Sequence, residues 1–173
     1  MKKFMIGAAA FCCMMISSVA LTACGSDDND DSGKTDPYAP KETVMNVWCS
    51  ESQDVLDVCD ATVTINGETE TITSAKWSKT LKSNGLPAHY SISVKVTKKA
   101  GKDWDSNKSY NYSNPAVSLH INLIKNNGES GVLVINEASN GSAGGKLMDS
   151  LYEGFKEYSV EYDIDKYGKV TIK

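Results

Sequence analysis

Apolar and polar residues alternate along three segments of the chain. In residues 88–96, apolar side chains occupy every second position from Ala88 to Val96, and mostly polar side chains fill the positions between them. Residues 117–123 and 158–164 repeat the pattern. Because successive side chains of a strand point to opposite faces of a sheet, this alternation predicts strands with one buried and one solvent-facing side.

Turn signals connect strands at two places. Lys166-Tyr167-Gly168 precedes a short continuation of the alternation, which predicts a C-terminal hairpin. Asn66-Gly67, a strong hairpin signal, follows the alternating segment 59–65, and the threonine-rich segment 69–80 is expected to return as its partner strand. Two further strands are predicted at residues 43–49 and 132–136.

One segment has the spacing of a helix. In residues 146–156, Leu147, Leu151 and Phe155 fall at i, i+4 and i+8, so this stripe is expected to pack on the strands, with residues 140–145 as a flexible lead-in. The fold class predicted is all-β. The expected architecture is an antiparallel β-sandwich, immunoglobulin-like or transthyretin-like, with one short helix near the C-terminal hairpin, and its strand order stays open.

The N-terminus has the layout of a secretory signal peptide. Lys2 and Lys3 precede an apolar run from Phe4 to Ala20, and small residues lead to Cys24. A bilayer-spanning helix needs about 20 apolar residues, and the polar residues after Cys24 offer no extension. Cleavage after the leader is therefore favoured over a permanent membrane span.

The residues Leu21-Thr22-Ala23-Cys24 resemble the lipobox of bacterial lipoproteins. This resemblance implies that residues 1–23 are removed, and that Cys24 becomes the acylated N-terminus that anchors the protein in a membrane. Several acyl chains hold a protein on a bilayer where one chain binds only marginally. The alternative is an ordinary cleaved leader followed by an incidental cysteine.

An acidic tract follows this cysteine. Residues 25–33 read GSDDNDDSG and contain no apolar side chain, so residues 24–41 are predicted to be a flexible linker and residues 42–173 a single domain. The tract is similar to the export signal of surface lipoproteins in Bacteroidetes, which implies an outer-membrane protein whose domain faces outward. A solvated tether without a sorting role is the alternative.

The charge balance argues against nucleic acid as a partner. Without Lys2 and Lys3 the chain has 16 lysines, no arginine and 22 acidic residues, a net charge of −6. Nucleic-acid binding needs a basic surface, and arginine is the preferred bidentate ligand of phosphate and carboxylate. The protein is expected to be a monomer whose membrane contact is the lipid at Cys24.

The domain also resembles a group of proteins. The segments DATVTINGETETITSAKWSKTL, LPAHYSISVKVT and SYNYSNPAVSLHINLI are similar to small β-sandwich surface lipoproteins of gut Bacteroidetes. The resemblance rests on the texture of the strands and on a Trp-Ser-Lys-Thr tetrad. It implies fold and location, and it carries no functional residue over to this chain.

Two cysteines remain in the domain. Cys49 and Cys59 each share the parity of neighbouring apolar positions, so both are expected to face the core. An exported protein permits a disulfide between them, which adds about 2 to 3 kcal/mol in the chain-entropy account. The sequence favours a disulfide and a pair of buried free thiols equally.

No catalytic or metal-binding motif is apparent. His89 and His120 are the only histidines, and no cysteine–histidine cluster has zinc-ligand spacing. Residues 128–131, GESG, lack the arrangement of a nucleophile elbow and are read as a hairpin turn. We therefore expect no enzyme activity, metal or cofactor, with a small hydrolase as a remote alternative because carboxylate pairs can meet in space.

The segment 102–114 is the main candidate for binding. It is longer than a hairpin requires, and it places Trp104, Tyr110 and Tyr112 among amides and carboxylates, a composition suited to a sugar or peptide. The alternative is that the three rings close one end of the core. Separately, Asp149-Ser150-Leu151 resembles the acceptor motif for O-linked glycans on exported Bacteroidetes proteins, which implies a glycan on Ser150.

These features favour a non-catalytic binding or accessory module for a glycan or a partner surface protein. The alternative class is a structural or assembly subunit, such as a fimbrial component, whose exposed strand edge accepts a partner strand.

Overall fold

The computed structural model describes residues 35–173, which form eleven strands and two short helices. The helices are α1 (Gln53–Val58) and α2 (Gly145–Phe155). The strands are β1 (Pro40–Cys49), β2 (Cys59–Ile65), β3 (Glu68–Ile72), β4 (Ser78–Lys82), β5 (Ala88–Lys98), β6 (Ser109–Asn114), β7 (Val117–Lys125), β8 (Ser130–Asn136), β9 (Ser139–Gly144), β10 (Glu157–Ile164) and β11 (Val170–Ile172).

The strands pair antiparallel throughout the described residues. The first sheet has the order β4-β1-β7-β8, the second has the order β11-β10-β5-β2-β3, and β6 pairs with β9 in a separate ribbon. The all-β antiparallel class predicted from residue alternation is therefore confirmed.

Side chains of the two sheets meet in one hydrophobic core. Alternate residues of β1, β5 and β10 are buried, as the period-two pattern predicts. The buried Thr43 hydroxyl of the first sheet lies 2.9 Å from the Tyr90 hydroxyl of the second. Asn136 of the first sheet donates from Nδ2 to the hydroxyls of Tyr158 (2.6 Å) and Tyr162 (2.8 Å) of the second. This arrangement fits a β-sandwich.

Both predicted hairpin turns form. Asn66 and Gly67 adopt positive φ angles of 50° and 86° between β2 and β3, which matches the backbone twist that a two-residue hairpin requires. Gly168 has a φ of 82° in the turn between β10 and β11. These turns are local, so the sequence predicts them well.

The sequence predicted that the threonine-rich segment 69–80 is one strand, but the structure divides it between two strands. Its first part lies in β3 and pairs with β2, whereas its end lies in β4 and pairs with β1 of the other sheet. A turn between them is closed by a 2.9 Å hydrogen bond from Trp77 N to Ser74 O. The chain thus crosses between sheets within a segment where the sequence carries no glycine or proline to mark the turn.

The expected long loop and the expected flexible lead-in pair with each other. Residues of the loop form β6, residues of the lead-in form β9, and Tyr112 stands opposite Gly141 in the ribbon. A Cβ atom at Gly141 would lie 2.5 Å from the Tyr112 ring, so the missing side chain makes room for that ring. A Cβ atom at Gly145 would collide with the Asp105 carbonyl oxygen.

Helix α2 confirms the predicted helix, and Leu151 of the predicted stripe packs half-buried against the core, but the most deeply buried residues lie beside that stripe. Met148 is fully buried and Tyr152 is 7 % exposed, whereas Leu147 is 62 % exposed. Helix α1 is absent from the sequence prediction. It begins after Ser52, whose side chain accepts a hydrogen bond from Val55 N, and it buries Val55, Leu56 and Val58.

Strand β1 includes Pro40 and Lys41, which the sequence analysis assigned to the linker. The leader, Cys24 and the acidic tract lie outside the described residues. Among the residues that are described, no helix is long and apolar enough to span a membrane.

Candidate functional site

The aromatic residues singled out in the sequence lie mainly in the core. Trp104 is 8 % exposed and Tyr110 is 3 % exposed, while Tyr112 is half-buried. The ring centroids of Trp104 and Tyr110 lie 4.9 Å apart in an edge-to-face arrangement, and Trp104 also lies 5.1 Å from Tyr152 of helix α2. These rings close one end of the core instead of forming an exposed aromatic surface.

A groove opens beside this aromatic cluster. It has a volume of about 270 Å³ and runs between the end of β5 and helix α2. The Trp104 and Tyr152 rings and the Cys59 side chain line its inner wall, and charged residues surround its opening. Those charged residues are Lys95, Lys98, Asp149, Glu153, Lys156 and Glu157.

Polar contacts at the groove centre on Asp149. Its Oδ1 accepts a 3.0 Å hydrogen bond from the Trp104 indole nitrogen and lies 2.6 Å from Lys98 Nζ. Lys98 Nζ also lies 2.9 Å from Asp103 Oδ1. These hydrogen bonds to Asp149 and Asp103 raise the pKa of Lys98, and the bond from Lys98 lowers the pKa of Asp103.

These contacts give the groove a defined chemistry. A carboxylate and an ammonium group lie next to the edge of a fixed aromatic ring, so hydrogen-bond donors, acceptors and apolar carbon are available together. Such a surface can recognise a hydroxyl-rich ligand, since each sugar ring presents both polar groups and C–H faces.

Behind Tyr152 lies a buried carboxyl group. Glu51 is 3 % exposed, and its Oε1 accepts a hydrogen bond of 3.3 Å from the Tyr152 hydroxyl. Its Oε2 accepts a hydrogen bond of 3.2 Å from the backbone nitrogen of Ser113. Burial raises the pKa of Glu51 to about 7, despite these hydrogen bonds, which act in the opposite direction.

The two cysteines lie close to this acid. Cys49 and Cys59 are both buried, as expected, and both are free thiols in the structure. Burial raises the pKa of Cys49 to about 11 and that of Cys59 to about 12, and the charge of Glu51 acts in the same direction. Both thiols are therefore protonated at neutral pH. A disulfide between them stays a prediction.

The remaining predicted positions fall into two groups. Ser150 is exposed on helix α2, where a glycan can be accommodated, although its modification stays a prediction. Cys24 lies outside the described residues, so the lipid anchor is likewise a prediction from the sequence.

The histidines lie in different sheets. His89 Nδ1 lies 2.7 Å from Asp163 Oδ1 in the second sheet, and His120 Nε2 lies 3.1 Å from Glu137 Oε1 beside the first. Within residues 35–173, no three histidine, cysteine or acidic side chains are grouped so that they could hold a metal ion.

A shallow second depression lies on the outer face of the second sheet. It has a volume of about 420 Å³ and is lined largely by serine and threonine side chains together with Glu161 and Lys173. No aromatic ring lines it, which distinguishes it from the groove at helix α2.

The sequence pattern pointed to Trp104 but not to the residues that act with it. Asp149 and Tyr152 come from α2, which is far from Trp104 along the chain, whereas Lys98 ends β5 only six positions before Trp104. Glu51 carried one weak signal, since it is an acidic residue in a short connection directly after a strand with a buried face.

No protein-family model, curated protein or solved structure shows a significant match to this chain.

Proposed function

We propose that this protein is a lipid-anchored accessory module of the outer-membrane surface that binds a glycan without transforming it. The anchor is the acylated Cys24, and the residues between Cys24 and β1 hold the domain away from the membrane. The lipobox-like residues before Cys24 and the acidic tract after it support this location.

The observation that carries the binding proposal is the groove beside Trp104. Its indole is held by Asp149, and Asp149 is held by Lys98, so the groups at its opening are already ordered before a ligand arrives. Preordered side chains lose less conformational entropy on binding. We place the glycan, or the sugar portion of a surface glycoprotein, across Asp149 and Lys98 with one ring against the aromatic wall.

The non-catalytic part of the proposal has separate support. Nucleophilic cysteines require a lowered pKa, whereas the pKa values of Cys49 and Cys59 are raised. Glu51 is buried, and both of its carboxyl oxygens accept hydrogen bonds, one from Tyr152 and one from Ser113.

We also propose that the β-sandwich is immunoglobulin-like or transthyretin-like. The chain crosses from one sheet to the other between β1 and β2, between β3 and β4, and between β4 and β5. Repeated crossing of this kind is typical of Greek-key sandwiches.

The variant Asp149→Asn tests the binding proposal. It keeps the size of the side chain but removes the charge that holds Lys98, so we expect glycan-array signals to fall at least about tenfold, in line with the loss of one charge-assisted contact. The melting temperature should stay the same, because the Asp149 side chain is 65 % exposed.

Glu161→Gln is the matched control, because Glu161 is an exposed carboxylate in the shallow depression of the second sheet. It should leave the array signals unchanged. Signals that fall with Glu161→Gln and persist with Asp149→Asn would place the ligand in that depression and contradict the proposal.

The assembly alternative is favoured by one observation. Strand β8 is the last strand of the first sheet, and its Val132 and Ile135 side chains are 57 % and 64 % exposed. An exposed apolar edge strand is a template for pairing with another chain.

A further inference from the structure

Strand β8 differs from the other outer strands of the two sheets. It is seven residues long and contains neither a charged residue nor proline. By contrast, β4 carries Lys79 and Lys82, and β3 carries Glu68 and Glu70. The three-residue β11 is flanked by Lys169 and Lys173.

Charged side chains, proline, short length and bulges are the usual protections of a sheet edge, and of these β8 has only a bulge. They also decide which edges can pair with a copy of themselves, because like charges placed opposite each other in a ladder destabilise it. Self-pairing of β3 over its full length would place Glu70 opposite Glu70, and self-pairing of β4 would put two lysines from each copy into a five-residue ladder. The ribbon strands are uncharged, but the side chains exposed on β9 are small and polar.

An irregularity in β8 brings its exposed apolar residues onto one face. Val132 stands opposite Asn122, Val134 stands opposite Ile121, and the register shift between these pairs makes Leu133 the extra residue of a bulge. Ile135 stands opposite His120, which shares the outer face of β7 with Asn122. Val132 and Ile135 therefore point outward together, although three positions separate them.

The core-facing residues of β8 can also lie opposite the same residues of a second copy. Val134 is 8 % exposed in the core, and the half-buried Leu133 packs against the same core. In an antiparallel ladder, directly opposed residues share a face. When a second β8 lies alongside, outward residues must therefore face outward residues, and core residues must face core residues. The register that does this pairs Val132 with Ile135, and Leu133 with Val134.

We propose that β8 is a self-association edge, at which two copies of this chain pair their β8 strands antiparallel about a two-fold axis between Leu133 and Val134. Val132 of each copy then lies against Ile135 of the other, and four apolar side chains form one outward cluster. Since the same patch serves both copies, the contact is closed and stops at a dimer.

The flanking charges permit this register. Glu137 would stand opposite Ser130 of the second copy, and Glu129 would stand opposite Ala138, so no carboxylates face each other. Glu129 is already paired with Lys125 at 2.9 Å, and Glu137 with His120 at 3.1 Å. The acidic tract of the same chain does not suit the edge, because GSDDNDDSG offers no β-branched or aromatic residue to match Val132 and Ile135.

The contact is small, and contacts well below about 1,200 Å² are usually weak and transient. The chain should therefore be a monomer in dilute solution, as expected from its sequence. Confinement to a membrane raises the effective concentration and favours the pair. This last step rests on the proposed lipid anchor, whereas the geometry of pairing does not.

Register-specific cross-linking tests the inference in the full chain. Val132→Cys and Ile135→Cys are made with different tags, co-expressed, and oxidised in isolated membranes with copper phenanthroline. Disulfides require Cα atoms within about 7 Å, which the opposed positions satisfy. Two copies of position 132 lie three residues out of register, about 10 Å apart.

The expected result is a mixed dimer of Val132→Cys with Ile135→Cys, and no homodimer of either variant above the level of Thr80→Cys on the outer strand β4. A second pair, Ser130→Cys with Glu137→Cys, reports the same register if the first pair folds poorly. Both replaced side chains are exposed.

Equal yields from all pairings would indicate random collision and overturn the inference, as would a mixed yield no higher than that of Thr80→Cys. A product that links Val132→Cys to a different protein would assign the edge to a heterologous strand and also overturn it. Recovery of the chain in the soluble fraction would contradict the lipid anchor but not the pairing of β8. The same oxidation would then be repeated on the concentrated soluble fraction to test the pairing.

Discussion

Glu51 shows how a single residue can link the stability of this fold to pH. The carboxyl group lies 3 % exposed between β1 and α1, and the hydrogen bonds from Tyr152 and Ser113 do not offset the cost of removing its charge from water. Its pKa is raised from 4.5 to about 7, so the folded protein holds a proton that the unfolded chain has already released across this interval.

The stability of the wild-type protein should therefore fall as the pH rises from 4.5 to 7, relative to a Glu51→Gln variant. The folded state binds more protons than the unfolded state in this window, which gives a negative slope of stability against pH. The 2.5-unit difference corresponds to about 3 kcal/mol, reached above pH 7. Urea unfolding between pH 4 and pH 8.5 measures the difference.

The exposed carboxylate Glu161 supplies the matched control, since Glu161→Gln should keep the wild-type slope. If wild type and Glu51→Gln gave parallel curves, the carboxyl group would be solvated and would not form the buried contact with Tyr152.

Helix α2 illustrates the element scale, because its sequence contains two apolar stripes. Leu147, Leu151 and Phe155 follow helical spacing, and so do Met148 and Tyr152. The structure buries Met148 in the core, and it buries Tyr152 beside Trp104 at the end of the core. Contacts with distant parts of the chain thus determine which stripe is buried, because helical periodicity is the same for both stripes.

Met148→Ala and Leu147→Ala form a matched pair that tests this orientation. The two substitutions remove similar apolar volumes at adjacent positions, but Met148 is fully buried and Leu147 is 62 % exposed. Met148→Ala should lower the free energy of unfolding by about 2 to 4 kcal/mol, because it leaves a cavity. Leu147→Ala should change it by less than about 0.5 kcal/mol.

Denaturant unfolding of both variants at one pH provides the measurement. A larger loss for Leu147→Ala than for Met148→Ala would mean that the helix is rotated toward the stripe expected from the sequence.

In the whole molecule, the domain and the proposed tether depend on different interactions. The domain holds itself together through buried cross-sheet contacts, such as Thr43 with Tyr90. The acidic tract carries charge and no apolar side chain, so its composition suits solvation and distance from the membrane. The proposed location depends on the sequence of residues 1–34, and the proposed binding depends on the groove.

Surface display predicts that intact cells expose the domain. A membrane-impermeant amine reagent should label the lysines of the full chain in intact cells about as strongly as in lysed cells, because exposed lysines occur throughout the described domain. A known periplasmic protein serves as the negative control. Labelling only after lysis would confine the domain to the periplasm, and a mature protein whose mass shows no acyl chains on Cys24 would contradict the lipid anchor.

The site was only partly predictable from the sequence. Trp104 was found because a tryptophan in a long polar loop is unusual, but its burial depends on Tyr110 and Tyr152, which arrive from β6 and α2. The contact of Asp149 with Trp104 spans 45 positions of the chain, and no local pattern encodes such a separation. The groove could therefore be described only from the tertiary structure.

The all-β class, most of the strands and both hairpin turns follow from the order of the residues. Alternation and the positive φ angles favoured at Asn66 and Gly67 are properties of neighbouring residues, so they can be recognised without the rest of the fold. Tertiary structure alone decided that β3 and β4 belong to different sheets, that β6 pairs with β9, and which face of α2 is buried. Those choices depend on which distant surfaces bury the most apolar area together, and that energy is not a property of any short segment.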